Sequence, residues 1–206
     1  MKTRDCLFHA LDLRLKLRIQ MFSLKTERLI LRRWAAADRE PFAQINADPR
    51  VMEYLGEILS RKQSDEVVDR IETHFQTHGF GLFAAELAEG GDFIGFVGLA
   101  APTFETAFTP CVEIGWRLAA EYWDAGFATE GAREIVRYAF EELRLPELVS
   151  MTAIGNERSR RVMAKLGMTH DAAENFDHPR LPSAHPLRRH VLYRLRREKW
   201  FNLAAK

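Results

Sequence analysis

The sequence predicts one α+β domain of mixed helix and strand order, with a mostly antiparallel sheet and a single parallel crossover. Three observations predict it. The chain has 206 residues, of which 47% are hydrophobic, enough to bury one core without help from metal or disulfide. Period-2 alternation recurs in short segments between stretches of helical spacing. One long strand, helix, strand unit over 111–153 requires a parallel, right-handed connection.

The elements follow in order. Residues 29–34 set Leu29, Leu31 and Arg33 against Ile30, Arg32 and Trp34, the pattern of a short strand. Asp38 is placed to cap a helix carrying Phe42 and Ile45 that ends near Asp48-Pro49. Ser64 is expected to open a second helix with Val67, Val68, Ile71 and Phe75 on one face, closed by Gly79. Strands over 81–87 and 93–99 flank Glu89-Gly90-Gly91-Asp92, a tight hairpin connection. In the strand over 111–118, Val112, Ile114, Trp116 and Leu118 share one face, and Glu113, Gly115 and Arg117 the other. A helix over 127–143 is stopped by Pro146. A strand over 148–153, a helix over 157–166 closed by Gly167, and strands over 168–171 and 190–196 complete the pattern. A Pro- and His-rich loop over 174–188 separates the last two strands and is long enough to serve a function.

Lys plus Arg (30) nearly balance Asp plus Glu (29), so overall charge does not argue for a nucleic-acid partner. Groove-reading and base-stacking motifs are also absent from the sequence. Cys6 and Cys111 stand far apart, which argues against a disulfide framework and for a reducing, cytoplasmic setting. Two cysteines cannot form a thiolate metal site, and His170, His178, His185 and His190 have no ligand-like spacing, so no metal is expected. No apolar run reaches the length of a membrane span. Residues 1–22 alternate leucines with charges and lack a secretory signal's apolar core. They read as an N-terminal extension, with the domain proper at 23–206.

At Ala125-Gly126-Phe127-Ala128-Thr129 the chain enters a helix through small residues, where free amide hydrogens can converge on an anion. Packing alone explains such a turn equally well. No P-loop and no dinucleotide fingerprint is present.

With these segments in order, the chain resembles the GNAT superfamily of acetyl-CoA-dependent N-acetyltransferases, in the branch similar to the ribosomal-protein-alanine enzymes. The marks are Thr26-Glu27-Arg28-Leu29-Ile30-Leu31-Arg32, then Glu113-Ile114-Gly115-Trp116 leading to Trp123 and Gly126-Phe127-Ala128-Thr129-Glu130, and Asn156-Glu157-Arg158-Ser159 running to Lys165-Leu166-Gly167-Met168. The resemblance implies a twisted, mostly antiparallel sheet of about seven strands with helices on both faces and a splayed parallel pair at the acetyl-CoA site. It further implies that the amides of Gly126, Phe127, Ala128 and Thr129 hold the coenzyme pyrophosphate, that Trp116, Arg117 and Leu118 line its pantetheine arm, and that Asn156 and Ser159 lie beside the thioester. Members of this branch often form homodimers. Many members carry a tyrosine acid where this chain has Met163, which leaves Ser159 or water to protonate the leaving group, or lets coenzyme A depart as the thiolate.

Acetyl transfer needs a neutral amine, and Glu113 is the candidate base. A cross-face ion pair of Glu113 with Arg117 is an equally good reading of the same residues. Asn156 and Ser159 are also helix-capping types. Trp34, Phe176 and His178 are candidates for the acceptor pocket. The expected activity is acetyl-CoA-dependent transfer to a primary amine in a direct ternary complex, with a protein N-terminal α-amine first. Small amines (polyamine, amino sugar, amino acid) are the alternative, and a non-catalytic acyl-CoA sensor is the alternative of another class.

Overall fold

The computed structural model describes residues 22–204, and all but the last residue of the extension expected over 1–22 lies outside them. Phe22, assigned to that extension from the sequence, packs its ring 6.0 Å from Phe83 and 5.4 Å from Tyr138.

Nine strands form one sheet: β1 (Ser23–Lys25), β2 (Leu29–Arg32), β3 (Leu82–Leu87), β4 (Phe93–Ala100), β5 (Glu113–Leu118), β6 (Glu147–Ala153), β7 (Thr169–His170), β8 (Phe176–Asp177) and β9 (Arg189–Arg196). Their spatial order is β1-β2-β3-β4-β5-β6-β9-β7, with β8 also against β9. Every pairing is antiparallel except β5 with β6. The two strands beyond the expected seven, β1 and β8, are three and two residues long, too short to leave an alternation signal. β8 lies inside the segment read as a loop, and its Phe176 pairs with His190. Gly90 (φ 88°) and Gly91 (φ 75°) make the β3–β4 hairpin in left-handed geometry that side chains resist.

The helices are α1 (Arg39–Ala47), α2 (Pro49–Met52), α3 (Arg61–His78), α4 (Phe127–Arg137), α5 (Glu157–Lys165) and α6 (Arg197–Ala204). Asp38 does not cap α1 through its side chain. Its carboxylate is buried and bonds Arg32 at 2.7 and 2.9 Å, because a buried charge keeps a cationic partner when one is in reach. α3 begins earlier than expected. Ser60 and Gln63 form its capping box, and Ser64 instead lies fully buried and accepts from Asn46 Nδ2 at 2.8 Å. α4 widens into a π turn over Tyr138–Glu142.

The core lies on both faces of the sheet. On one, Ile114 and Leu118 of β5 join Leu29, Leu31, Val97, Ala132, Ile135 and Met163. On the other, Phe96 joins Phe42 and Ile45 of α1, Val51 of α2 and Val68 of α3. Residues of β5 alternate between these faces, so Glu113, Gly115 and Arg117 point to the side covered by α1 and α3.

Candidate active site

β5 and β6 run parallel yet share only one paired position, Glu113 opposite Val149, with Val149 N donating to Val112 O at 3.0 Å. Beyond it the strands part. The parting opens into a cavity of about 420 Å³ lined by both strands, the start of α4, α5 and the segment through α2. All the catalytic and coenzyme-binding residues expected from the sequence line it: Glu113, Trp116, Arg117, Leu118, Gly126, Phe127, Ala128, Thr129, Asn156 and Ser159.

Glu113 is partly reached by solvent yet enclosed by protein, as a group on the floor of a cleft. That burial pushes its carboxyl up to about 7, against a smaller opposing hydrogen bond from the Met151 backbone. The cross-face pair with Arg117 does not form. Two residues four apart on a strand lie about 13 Å from each other, and the Arg117 guanidinium instead donates from Nη1 to Asn46 Oδ1 at 2.5 Å.

At the phosphate turn Gly126 adopts φ 87°, a left-handed conformation that costs other residues energy. The first intrahelical bond of α4 is Glu130 N to Gly126 O at 3.0 Å, so the amides of Phe127, Ala128 and Thr129 precede the helical ladder, at residues that line the cavity, and could hold an anion. Glu130 points elsewhere. It accepts from Thr26 Oγ1 at 2.6 Å, Arg28 N at 2.8 Å and Arg28 Nε at 2.7 Å. Burial alone would raise its carboxyl, but these bonds outweigh it and hold the group below its ordinary value. Arg161 and Lys165 of α5 add positive charge to the cavity wall, which fits a polyphosphorylated ligand.

Asn156 caps α5, its Oδ1 accepting from Ser159 N at 3.1 Å, while its Nδ2 donates to Thr152 Oγ1 at 2.9 Å. Both ends of its amide are therefore engaged in fixing the turn between β6 and α5. Trp123 Nε1 donates to Leu118 O at 2.9 Å, so this indole braces the strand the coenzyme arm would follow. Cys111 does not line the cavity. Partial burial, with some help from Glu113, pushes its thiol up to about 11, which suits a half-buried spectator better than a nucleophile.

Three expected acceptor residues lie outside the cavity lining. Trp34 donates to Leu82 O at 2.7 Å and packs edge-on against Phe42 at 4.9 Å, half-buried at the edge of the core. Phe176 and His178 join Phe104, Phe108 and His190 in an aromatic cluster. Burial there drives His178 down to about 4. In their place the cavity is lined by Arg50, Val51, Tyr54 and Leu55. This segment is tied down by Arg50 to Glu121 at 2.8 Å and by Arg158 to Glu53 at 2.9 Å, both long-range pairs that local sequence pattern does not register.

The model of the acetyltransferase (GNAT) domain matches residues 28–169. The chain is 35% identical over 190 residues to the FsC-acetyl coenzyme A-N(2)-transacetylase of Aspergillus fumigatus, covering 88% of this chain and 79% of the relative. A 55-residue stretch, 27% of this chain and 30% of the relative, is 42% identical to a putative ribosomal N-acetyltransferase of Bacillus subtilis. An acetyltransferase structure from Agrobacterium tumefaciens superposes with a TM-score of 0.69 at 31% identity, covering 85% of this chain and 94% of the other. With this match over most of the chain and the splayed β5–β6 cleft, the protein belongs to the GNAT acetyltransferases and is an acetyl-CoA-dependent N-acetyltransferase.

Proposed function

We propose that the enzyme transfers acetyl directly to a primary α-amine, with Glu113 as the base and a protein N-terminus as the first acceptor class. The observation that carries this reading is the Glu113 carboxyl, held near 7 on the floor of the cleft where β5 and β6 part. A base of that strength matches an α-amine, whose pKa near 7.8 leaves about a third of it neutral at pH 7.5. A lysine near 10.4 is neutral to only about one part in a thousand and would ask far more of the same carboxylate. Glu113 takes the ammonium proton directly or through one water, the freed lone pair forms the N–C bond at the thioester carbonyl, and the C–S bond breaks to release coenzyme A as the thiolate while the nitrogen sheds its second proton to solvent or to the thiolate. The amides at Phe127, Ala128 and Thr129 would hold the coenzyme's phosphates and supply no proton. A high thiol pKa at Cys111 supports direct transfer over a cysteine-bound acyl step.

A second reading, acetylation of a small amine, is favoured by the name of the Aspergillus relative, which specifies an N(2) acceptor on FsC. The name of the Bacillus relative, over a much shorter match, leans to the ribosome. Free-thiol release from acetyl-CoA across N-terminal peptides, amino acids, amino sugars and polyamines separates the two, with Glu113→Gln and Ser159→Ala run beside the wild type. Turnover confined to ε-amines or polyamines would overturn the α-amine reading. Tight acetyl-CoA binding without turnover on any amine would leave a non-catalytic sensor.

A further inference from the structure

The acceptor side of the cavity contains a cation that the transfer chemistry above does not use. Arg117 lies on the face of β5 that also carries Glu113, and it lines the cavity together with Leu82, Phe96 and Val51. Its guanidinium sits 5.5 Å from the Phe96 ring centre and 5.9 Å from that of Phe42. Of its five N–H donors, one bonds Asn46 Oδ1, and Nε is buried without a partner. No carboxylate among the described residues lies within ion-pair distance of it. Its neighbours Arg50 and Arg158 are by contrast neutralised by Asp48, Glu121 and Glu53. Asn46 is itself fully buried and held by Ser64, so the guanidinium is aimed by a rigid two-residue support.

An enclosed arginine without an acid is costly to fold, and its remaining donors match a carboxylate. We propose that Arg117 forms an anion subsite for the acceptor, selecting amines that carry a carboxylate remote from the amino group. This rests on the acceptor site proposed above. The spacing sets the class. Glu113 and Arg117 are separated by about 13 Å along β5, so one α-amino acid cannot serve both, whereas two or three extended peptide residues at about 3.5 Å each can.

The test is calorimetric binding of Ala-Ala-Ala and of its C-terminal amide to the protein saturated with coenzyme A, with free alanine as the short control. The tripeptide acid is expected to bind at least tenfold tighter than the amide. Arg117→Gln should bring that ratio to near one, and Arg117→Lys should keep part of it. The melting temperature of Arg117→Gln should match or exceed that of the wild type, and coenzyme A affinity is read beside it because Arg117 also belongs to the strand expected along the coenzyme arm. An acid-to-amide ratio near one in the wild type, or no detectable binding of either peptide, overturns the proposal. So does an Arg117→Gln variant that loses coenzyme A affinity tenfold with the peptide ratio intact. Acetyl transfer is read separately. Turnover without acid preference sinks the subsite alone, and acid-selective binding without turnover on any amine sinks the transferase acceptor.

Discussion

Glu113 stands opposite Val149 at the single position where β5 and β6 remain paired. Its carboxylate therefore occupies the hinge of the splay, anchored by the one parallel pairing and open to the cleft beyond it. A residue further along β5 would face a widening gap, and one earlier would lie before the strand begins. This position makes the carboxylate both enclosed and reachable.

Replacing Glu113 with Gln should lower kcat by about 10² to 10⁴, the usual range for a positioned base. Acetyl-CoA affinity should stay within about twofold, because binding rests on the α4 amides and the α5 cations. In the wild type kcat/KM should rise with pH through about 7 as the Glu113 carboxyl loses its proton. The variant should lose that limb and keep only the amine's own titration. A profile unchanged by the substitution would remove Glu113 from the base role.

The same carboxyl predicts a stability effect of opposite sign. Its folded pKa lies above its unfolded value, so between about 4.5 and 7 the folded chain holds more protons than the unfolded one, and stability falls as pH rises through that window. Glu113→Gln removes the penalty for burying the charge. It should gain about 1 to 3 kcal/mol over the wild type at pH 8 and nothing below pH 4. Denaturant unfolding at the two pH values measures the difference. A variant less stable at pH 8 would mean that the carboxylate is better satisfied than its surroundings indicate.

Much of this arrangement was legible in the sequence because it is local. The strand face of Glu113 and Arg117, the Gly126 turn and the Asn156 cap each follow from spacing and residue type over a few positions. What was not legible is long-range. Arg117 finds Asn46, 71 residues away, and not the glutamate on its own strand. The α2 segment enters the cavity through pairs with Glu121 and Arg158. Trp34 is an acceptor candidate by residue type and packs half-buried beside the core, since an aromatic beside a site and an aromatic beneath it have the same composition. β8 and α6 escaped for a simpler reason, because two residues carry no period and Arg197–Ala204 lacks a clear apolar stripe.

Asn156 performs two structural tasks at once, capping α5 and bonding Thr152. Asn156→Ala should destabilise the fold by about 1 to 2 kcal/mol. Asn156→Asp keeps the cap and should recover at least half of that loss while forfeiting the donor to Thr152. Thermal unfolding of the pair, read beside kcat, separates positioning from chemistry. A kcat loss far beyond the stability loss in both variants would assign Asn156 a direct role.

Met163 tests whether this chain has moved its acid or dispensed with it. The residue is fully buried among Leu29, Ile114, Ala132 and Ile135 and does not line the cavity. A tyrosine placed there would have to push its ring into a packed core and could present its hydroxyl to the cleft only by displacing α5. Met163→Tyr should therefore cost about 1 to 3 kcal/mol through overpacking and leave kcat no higher than in the wild type. A gain of tenfold or more in kcat, with the fold intact, would show that α5 yields readily and that thiolate protonation limits turnover. With no such gain, three routes stand: a proton from Ser159, the hydroxyl on the cavity wall beside the capped turn, a proton from water, or departure of coenzyme A as the thiolate, and a large kcat loss in Ser159→Ala would single out the hydroxyl.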